Sequence, residues 1–109
     1  MASLYKVLGQ SNPSATTETV LYTVPNSINT VASSLIVCNT GSTQASFRVS
    51  ISINSVTTAI KNYIYYDLLI GGNDTFIATI GVTLSNNYDV RVYASSSNLA
   101  FSLYGSEIS

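Results

Sequence analysis

Apolar side chains recur at every second position along most of this chain, a period that suits strands and not amphipathic helices. Phe47, Val49, Ile51 and Ile53 share one face of a run whose other face carries Ser46, Arg48, Ser50 and Ser52. Tyr88, Val90, Val92 and Ala94 alternate with Asp89, Arg91 and Tyr93. Leu99, Phe101 and Leu103 alternate with Ala100, Ser102 and Tyr104, and Phe76, Ala78, Ile80 and Val82 repeat the pattern more weakly. Helix formers are sparse beside Val, Ile, Thr and Tyr, which fit a pleated surface.

Turn chemistry separates the runs. Gly71-Gly72-Asn73-Asp74 is the strongest signal, because Gly and Asn tolerate positive φ and Asp bonds nearby backbone N–H groups. Asn39-Thr40-Gly41-Ser42, Ser85-Asn86-Asn87 and Ser95-Ser96-Ser97-Asn98 mark further turns, and Pro25 suits a strand end. The spacing predicts strands at Tyr5–Leu8, Val20–Val24, Val31–Cys38, Ala45–Ile53, Tyr63–Ile70, Thr75–Leu84, Asp89–Ala94 and Leu99–Tyr104. These fit an all-β fold, a compact antiparallel β-sandwich of two packed sheets in which jelly-roll-like connections can be accommodated. At 109 residues the chain is one domain. Residues 18–109 are expected to form the sandwich. Gly9 to Thr19 has no apolar period, so residues 1–17 are expected to be an irregular N-terminal arm, docked on a neighbour or on the edge of its own sheet, with a strand plus a long loop within the same subunit as the equal alternative.

The side-chain inventory bears on function. There are four Lys and Arg, five Asp and Glu, no His, no Trp and one Cys. General acid–base and nucleophilic chemistry need titratable partners, so no catalytic, cofactor-binding or metal-ligating residues are assigned and no cofactor is expected. Asp67, Asp74 and Asp89 read as turn caps and strand-edge charges rather than a catalytic pair. Cys38 ends an apolar run and reads as a small buried hydrophobe. Scattered Lys6, Arg48, Lys61 and Arg91 give no basic footprint for nucleic acid. No apolar run approaches the roughly 20 residues of a membrane helix, and the N-terminus lacks the h-region of a signal peptide. Neither a nucleic acid nor a membrane is expected as partner, and synthesis is expected in the cytoplasm.

A hydroxyl-rich surface with few ions can be covered by a partner at little desolvation cost. The candidate contact residues are Leu4, Tyr5, Val7, Leu8 and Pro13 of the arm, with Tyr63, Tyr65, Tyr93, Arg48 and Arg91 on the strands. Strict alternation places Tyr63, Tyr65 and Asp67 together on the surface and Ile64, Tyr66 and Leu68 towards the core. Tyrosines buried between subunits are the first expectation for the surface set, with core packing and sugar stacking as the other uses. Cross-strand pairing with Asp67 or Asp89 is the alternative to a partner contact for each arginine.

The order Val7-Leu8-Gly9-Gln10-Ser11-Asn12-Pro13, Leu21-Tyr22-Thr23-Val24-Pro25 and Ser34-Leu35-Ile36-Val37-Cys38-Asn39 resembles small virion proteins of tailed bacteriophages, especially cyanophages. Asn62 to Asp67, Gly72 to Thr75, Val92 to Ser95 and Gly105 to Ser109 extend the resemblance over nearly the whole chain. The resemblance implies a virion structural protein assembled in the host bacterial cytoplasm. Its implied partners are the major capsid protein or tail subunits and copies of itself, with a trimer favoured. A capsid decoration, or cement, protein is the leading expectation. A tail, neck, baseplate or fibre-associated protein and a glycan-binding attachment module are the alternatives.

Overall fold

The structure is a computed structural model that describes residues 3–53 and 56–109. Its strands are β1 (Ser3–Ser11), β2 (Thr19–Thr23), β3 (Asn29–Asn39), β4 (Ala45–Ile53), β5 (Tyr63–Ile70), β6 (Thr75–Leu84), β7 (Tyr88–Ala94) and β8 (Leu99–Ile108). A single 3₁₀ turn, Ile60–Asn62, precedes β5. The first sheet has the order β1-β8-β3-β6 and the second β2-β7-β4-β5, each four-stranded and with every pairing antiparallel. Consecutive strands change sheet at every connection except β4 to β5, which is the strand order of a jelly roll.

The alternation read from sequence builds the layer between the sheets. Leu35, Val37, Leu99, Phe101 and Leu103 from the first sheet meet Phe47, Val49, Val90, Val92 and Ala94 from the second, all but sealed from water. Phe47 sits at the centre, its ring 5.5 Å from that of Phe76, 5.9 Å from Phe101 and 6.2 Å from Tyr65. The contact with Phe101 is edge-on and the other two are tilted, and such aromatic pairs add to the burial of their area. Phe76, Ile80 and Val82 pack against the same core, in agreement with the weaker alternation of β6.

The N-terminal segment is not an irregular arm. Of the readings left open for it, it takes the strand plus loop within its own subunit, at the edge of its own sheet. Ser3–Ser11 pairs with β8 from Ser3↔Ile108 to Ser11↔Phe101, and only Asn12–Glu18 is irregular. A register shift between Val7 and Gly9 lets both Leu8 and Gly9 turn inwards, which hides the strand period from a reading that assumes strict alternation. Leu8 therefore belongs to the core, and a Cβ on Gly9 would lie 2.3 Å from the Leu21 carbonyl oxygen. β8 also runs on to Ile108, because β1 and β3 flank it to its end.

Two crossing connections are locked together at one end of the sandwich. Asn39 is 1% exposed. Its side-chain amide donates to the carbonyls of Thr43 (2.8 Å) and Ile70 (3.3 Å), while its Oδ1 accepts from the Gly41 N–H (3.0 Å). Main-chain bonds from Asn39 to the Asp74 carbonyl and from Asn73 to the Gly41 carbonyl complete the lock. Asn73 takes φ 57° and Asp74 caps the turn through the Thr75 N–H at 2.8 Å, as the turn chemistry requires. Replacement of Asn39 by Ala leaves buried carbonyls unpaired and is expected to cost about 2–3 kcal/mol. Urea unfolding of the variant beside the wild type, at equal m-value, measures it.

Candidate contact faces

The outer surfaces of the two sheets differ in chemistry. The outer face of the second sheet carries ionic groups. Arg48 lies between the rings of Tyr66 and Tyr93, 4.4 Å from each centroid, and its Nε donates to Asp67 Oδ1 at 2.6 Å. The Asp67 bond lifts the guanidinium further above its already high range, so the group is a permanent cation held in an aromatic slot.

A bulge decides which tyrosines take part. The β4–β5 register shifts between Phe47 and Val49 and again between Val49 and Ser50, and Asp67 adopts φ 51°. Tyr65 is consequently turned inwards, against Phe47 and Phe76, and is corrected from contact surface to core. Tyr66 is corrected the other way and is 58% exposed. Ile64 is also exposed, while Leu68 packs on the core as expected. Tyr63 meets Tyr66 edge-on at 4.9 Å, and with Ile60 the two line a recess of about 250 Å³.

Arg91 is buried, and its contacts lie within the chain. Its Nη1 donates to the Val56 carbonyl (2.7 Å) and Thr58 Oγ1 (2.8 Å), and its Nη2 donates to Asp89 Oδ2 (3.2 Å). Glu18 lies 3.8 Å away and accepts from the Thr58 hydroxyl, while Thr23 donates to Asp89. Arg91 thus fastens the Val56–Thr58 segment and the β1–β2 loop across the second sheet. Pro13, another contact candidate, is buried as well. Loss of Arg91 strands the buried Asp89 charge, and Arg91→Ala is expected to destabilise by about 3 kcal/mol or more. Arg48→Ala, at a partly exposed pair, is expected to lose far less. Paired urea titrations of the two variants test the contrast.

The outer face of the first sheet is of another kind. Tyr5 (84% exposed), Val7 (46%) and Ile77 (69%) project from it. Ile36, Cys38 and Tyr104 are half-buried on the same side, outside the core, so Cys38 is not the buried hydrophobe expected. Gln10, Ser34, Ser102, Thr75 and Thr79 fill the rows between them. No charged side chain projects from this face among the described residues. Lys6 and Glu107 pair at 3.3 Å on the opposite side, and Asp74 sits in the β5–β6 turn. Leu4 alternates with Tyr5 and is 59% exposed.

Glu107 also joins the two sheets. The Tyr22 hydroxyl donates to Glu107 Oε2 at 2.6 Å, and the Thr30 hydroxyl lies 2.8 Å from the Tyr22 oxygen. Burial, then the bond to Glu107, pushes the Tyr22 phenol up to about 12. A phenol whose pKa is higher folded than unfolded stabilises the fold fully below its ordinary value near 10, and that contribution is lost as pH rises towards about 12. Wild-type stability is therefore expected to fall over this window. Tyr22→Phe, less stable at neutral pH, should show a flatter profile. Far-UV circular dichroism melts from pH 8 to 12 measure both.

Each acidic group described above is committed to a local partner, and no cluster of three or more potential metal ligands occurs among the described residues. A second recess of about 500 Å³, lined by Asn29, Val31, Thr83 and Tyr88 among others, holds no titratable pair. Comparison with protein-family models, curated proteins and solved structures finds no match.

Proposed function

We propose that the chain is a non-catalytic structural protein of a bacteriophage particle, a capsid decoration protein that lays the outer face of its first sheet against capsid subunits. The observation that carries this reading is the uncharged face bearing Tyr5, Val7 and Ile77. Covering it removes apolar area and tyrosine rings from water and strips hydration from no ion. The charged second face then points away from the contact. The resemblance of the chain to small virion proteins supplies the setting, with the major capsid protein as partner and a trimer as the favoured homo-oligomer. Binding only to assembled subunits stabilises them by mass action, with no chemical step.

The same contact chemistry serves a tail, neck or baseplate position, and labelled-particle imaging distinguishes head from tail. One observation favours glycan binding as a second reading: the Ile60–Tyr63–Tyr66 recess beside Arg48 and Asp67 combines aromatic edges with fixed polar groups. Saturable glycan binding by the isolated protein, lost in Tyr66→Ala, would favour it.

Tyr5→Lys combined with Val7→Lys places two cations on the proposed contact face at exposed positions. Occupancy on purified particles is expected to fall at least tenfold while the circular dichroism spectrum is unchanged. Unchanged occupancy refutes the face assignment.

A further inference from the structure

The four edge strands of the sandwich are not equally protected. β1 and β6 bound the first sheet, and β2 and β5 the second. A bare strand edge can template pairing with another chain, and charge, bulges, Pro or brevity normally prevent it. β2 has five residues and a register shift between Val20 and Tyr22. β1 carries Lys6 and the shift at Leu8. β5 carries Asp67 in its bulge. β6 lacks such protection in its first half. Thr75 to Thr79 pairs in unbroken register with Cys38 to Ser34, without charge or Pro, and the positive φ of Gly81 lies beyond it.

This stretch is also self-complementary. Thr75, Ile77 and Thr79 are exposed on the outer face, with Phe76 and Ala78 half-buried on the inner. The outward row is Thr-Ile-Thr, which is symmetric about Ile77. In an antiparallel pair related by a two-fold axis at Ile77, each Ile77 faces its own counterpart and each Thr75 faces Thr79 of the second copy. β-Branched and Thr–Thr cross-strand pairs of this kind are favourable, and no like charges meet. A two-fold contact is isologous, so one uncharged edge supplies both sides. It also covers Ile77, the most exposed apolar side chain on β6.

We infer that two copies of this chain join through the Thr75–Thr79 edge of β6, antiparallel about Ile77, and merge their first sheets into one. The inference goes beyond the particle reading and puts a two-fold dimer of the isolated protein in place of the trimer that reading favours; Tyr5 and Val7 lie on the opposite edge strand, so their variants test the two separately.

The full-length variants Ile77→Lys and Ile77→Glu test it by sedimentation velocity, with folding checked by circular dichroism. Each alone sets like charges face to face and is expected to lose the wild-type dimer. An equimolar mixture sets Lys against Glu and is expected to recover it. In a Cys38→Ser background, Ile77→Cys is expected to form a disulfide-linked dimer under mild oxidation, since facing Cα atoms lie within disulfide reach. Val7→Cys is expected to stay monomeric. Sedimentation unchanged by either charge substitution, a mixture that stays dissociated, or cross-linking at Val7 rather than Ile77 overturns the inference. Each of these results leaves the particle-occupancy test untouched.

Discussion

Each sheet of this protein has one face it cannot leave in water, and the only surface available to cover it is the other sheet. That mutual burial, centred on Phe47, sets the terms for everything else. It fixes which side of every strand points out, since a slip by one residue would exchange the core set for the surface set. It also forces the chain to cross between sheets again and again, so the connections need their own polar fasteners. Asn39 holds the crossings at one end, and the Tyr22–Glu107–Thr30 group ties the sheets through β2, β8 and β3.

The placement of charge follows. Ionic groups are few, and most of those present are used in pairs. Arg91 and Asp89 are buried because the segment they anchor covers them, and Arg48 is held by two rings and a carboxylate. These interactions gather on the outer side of the second sheet. The outer face of the first sheet is left with hydroxyls, amides and isolated apolar side chains. The asymmetry is a property of a sandwich with two separate outer faces, and it gives the molecule a direction.

All eight strands were legible in the sequence, because period two survives wherever one face is buried and Asn or Gly marks the turns. The misplaced strand residues share one cause. A bulge adds a residue without changing composition, so every inference from parity fails beyond it. Tyr65 and Tyr66 exchanged faces for this reason, and Leu8 moved from candidate contact to core. Asp67 offered a faint signal, since Asp is among the few non-glycine residues that enter the left-handed region. The surroundings of Arg91 were beyond sequence reasoning on other grounds. Its partners Val56 and Thr58 lie more than thirty positions away in a loop without apolar period.

A face without charge and an edge without protection would ordinarily be liabilities in a chain that diffuses freely. Here they occur on the same sheet, on a face and an edge stretch that carry no charged side chain among the described residues. Solubility alone would favour a Lys at Ile77 or Tyr5, both of which are exposed and impose no packing constraint on the replacement. That the sequence instead keeps an apolar residue at each of these positions is accounted for if both are covered when the molecule is at work. One contact meets the broad face and another the edge, so a single sheet can hold its subunit to an underlying lattice and to a neighbouring copy at once.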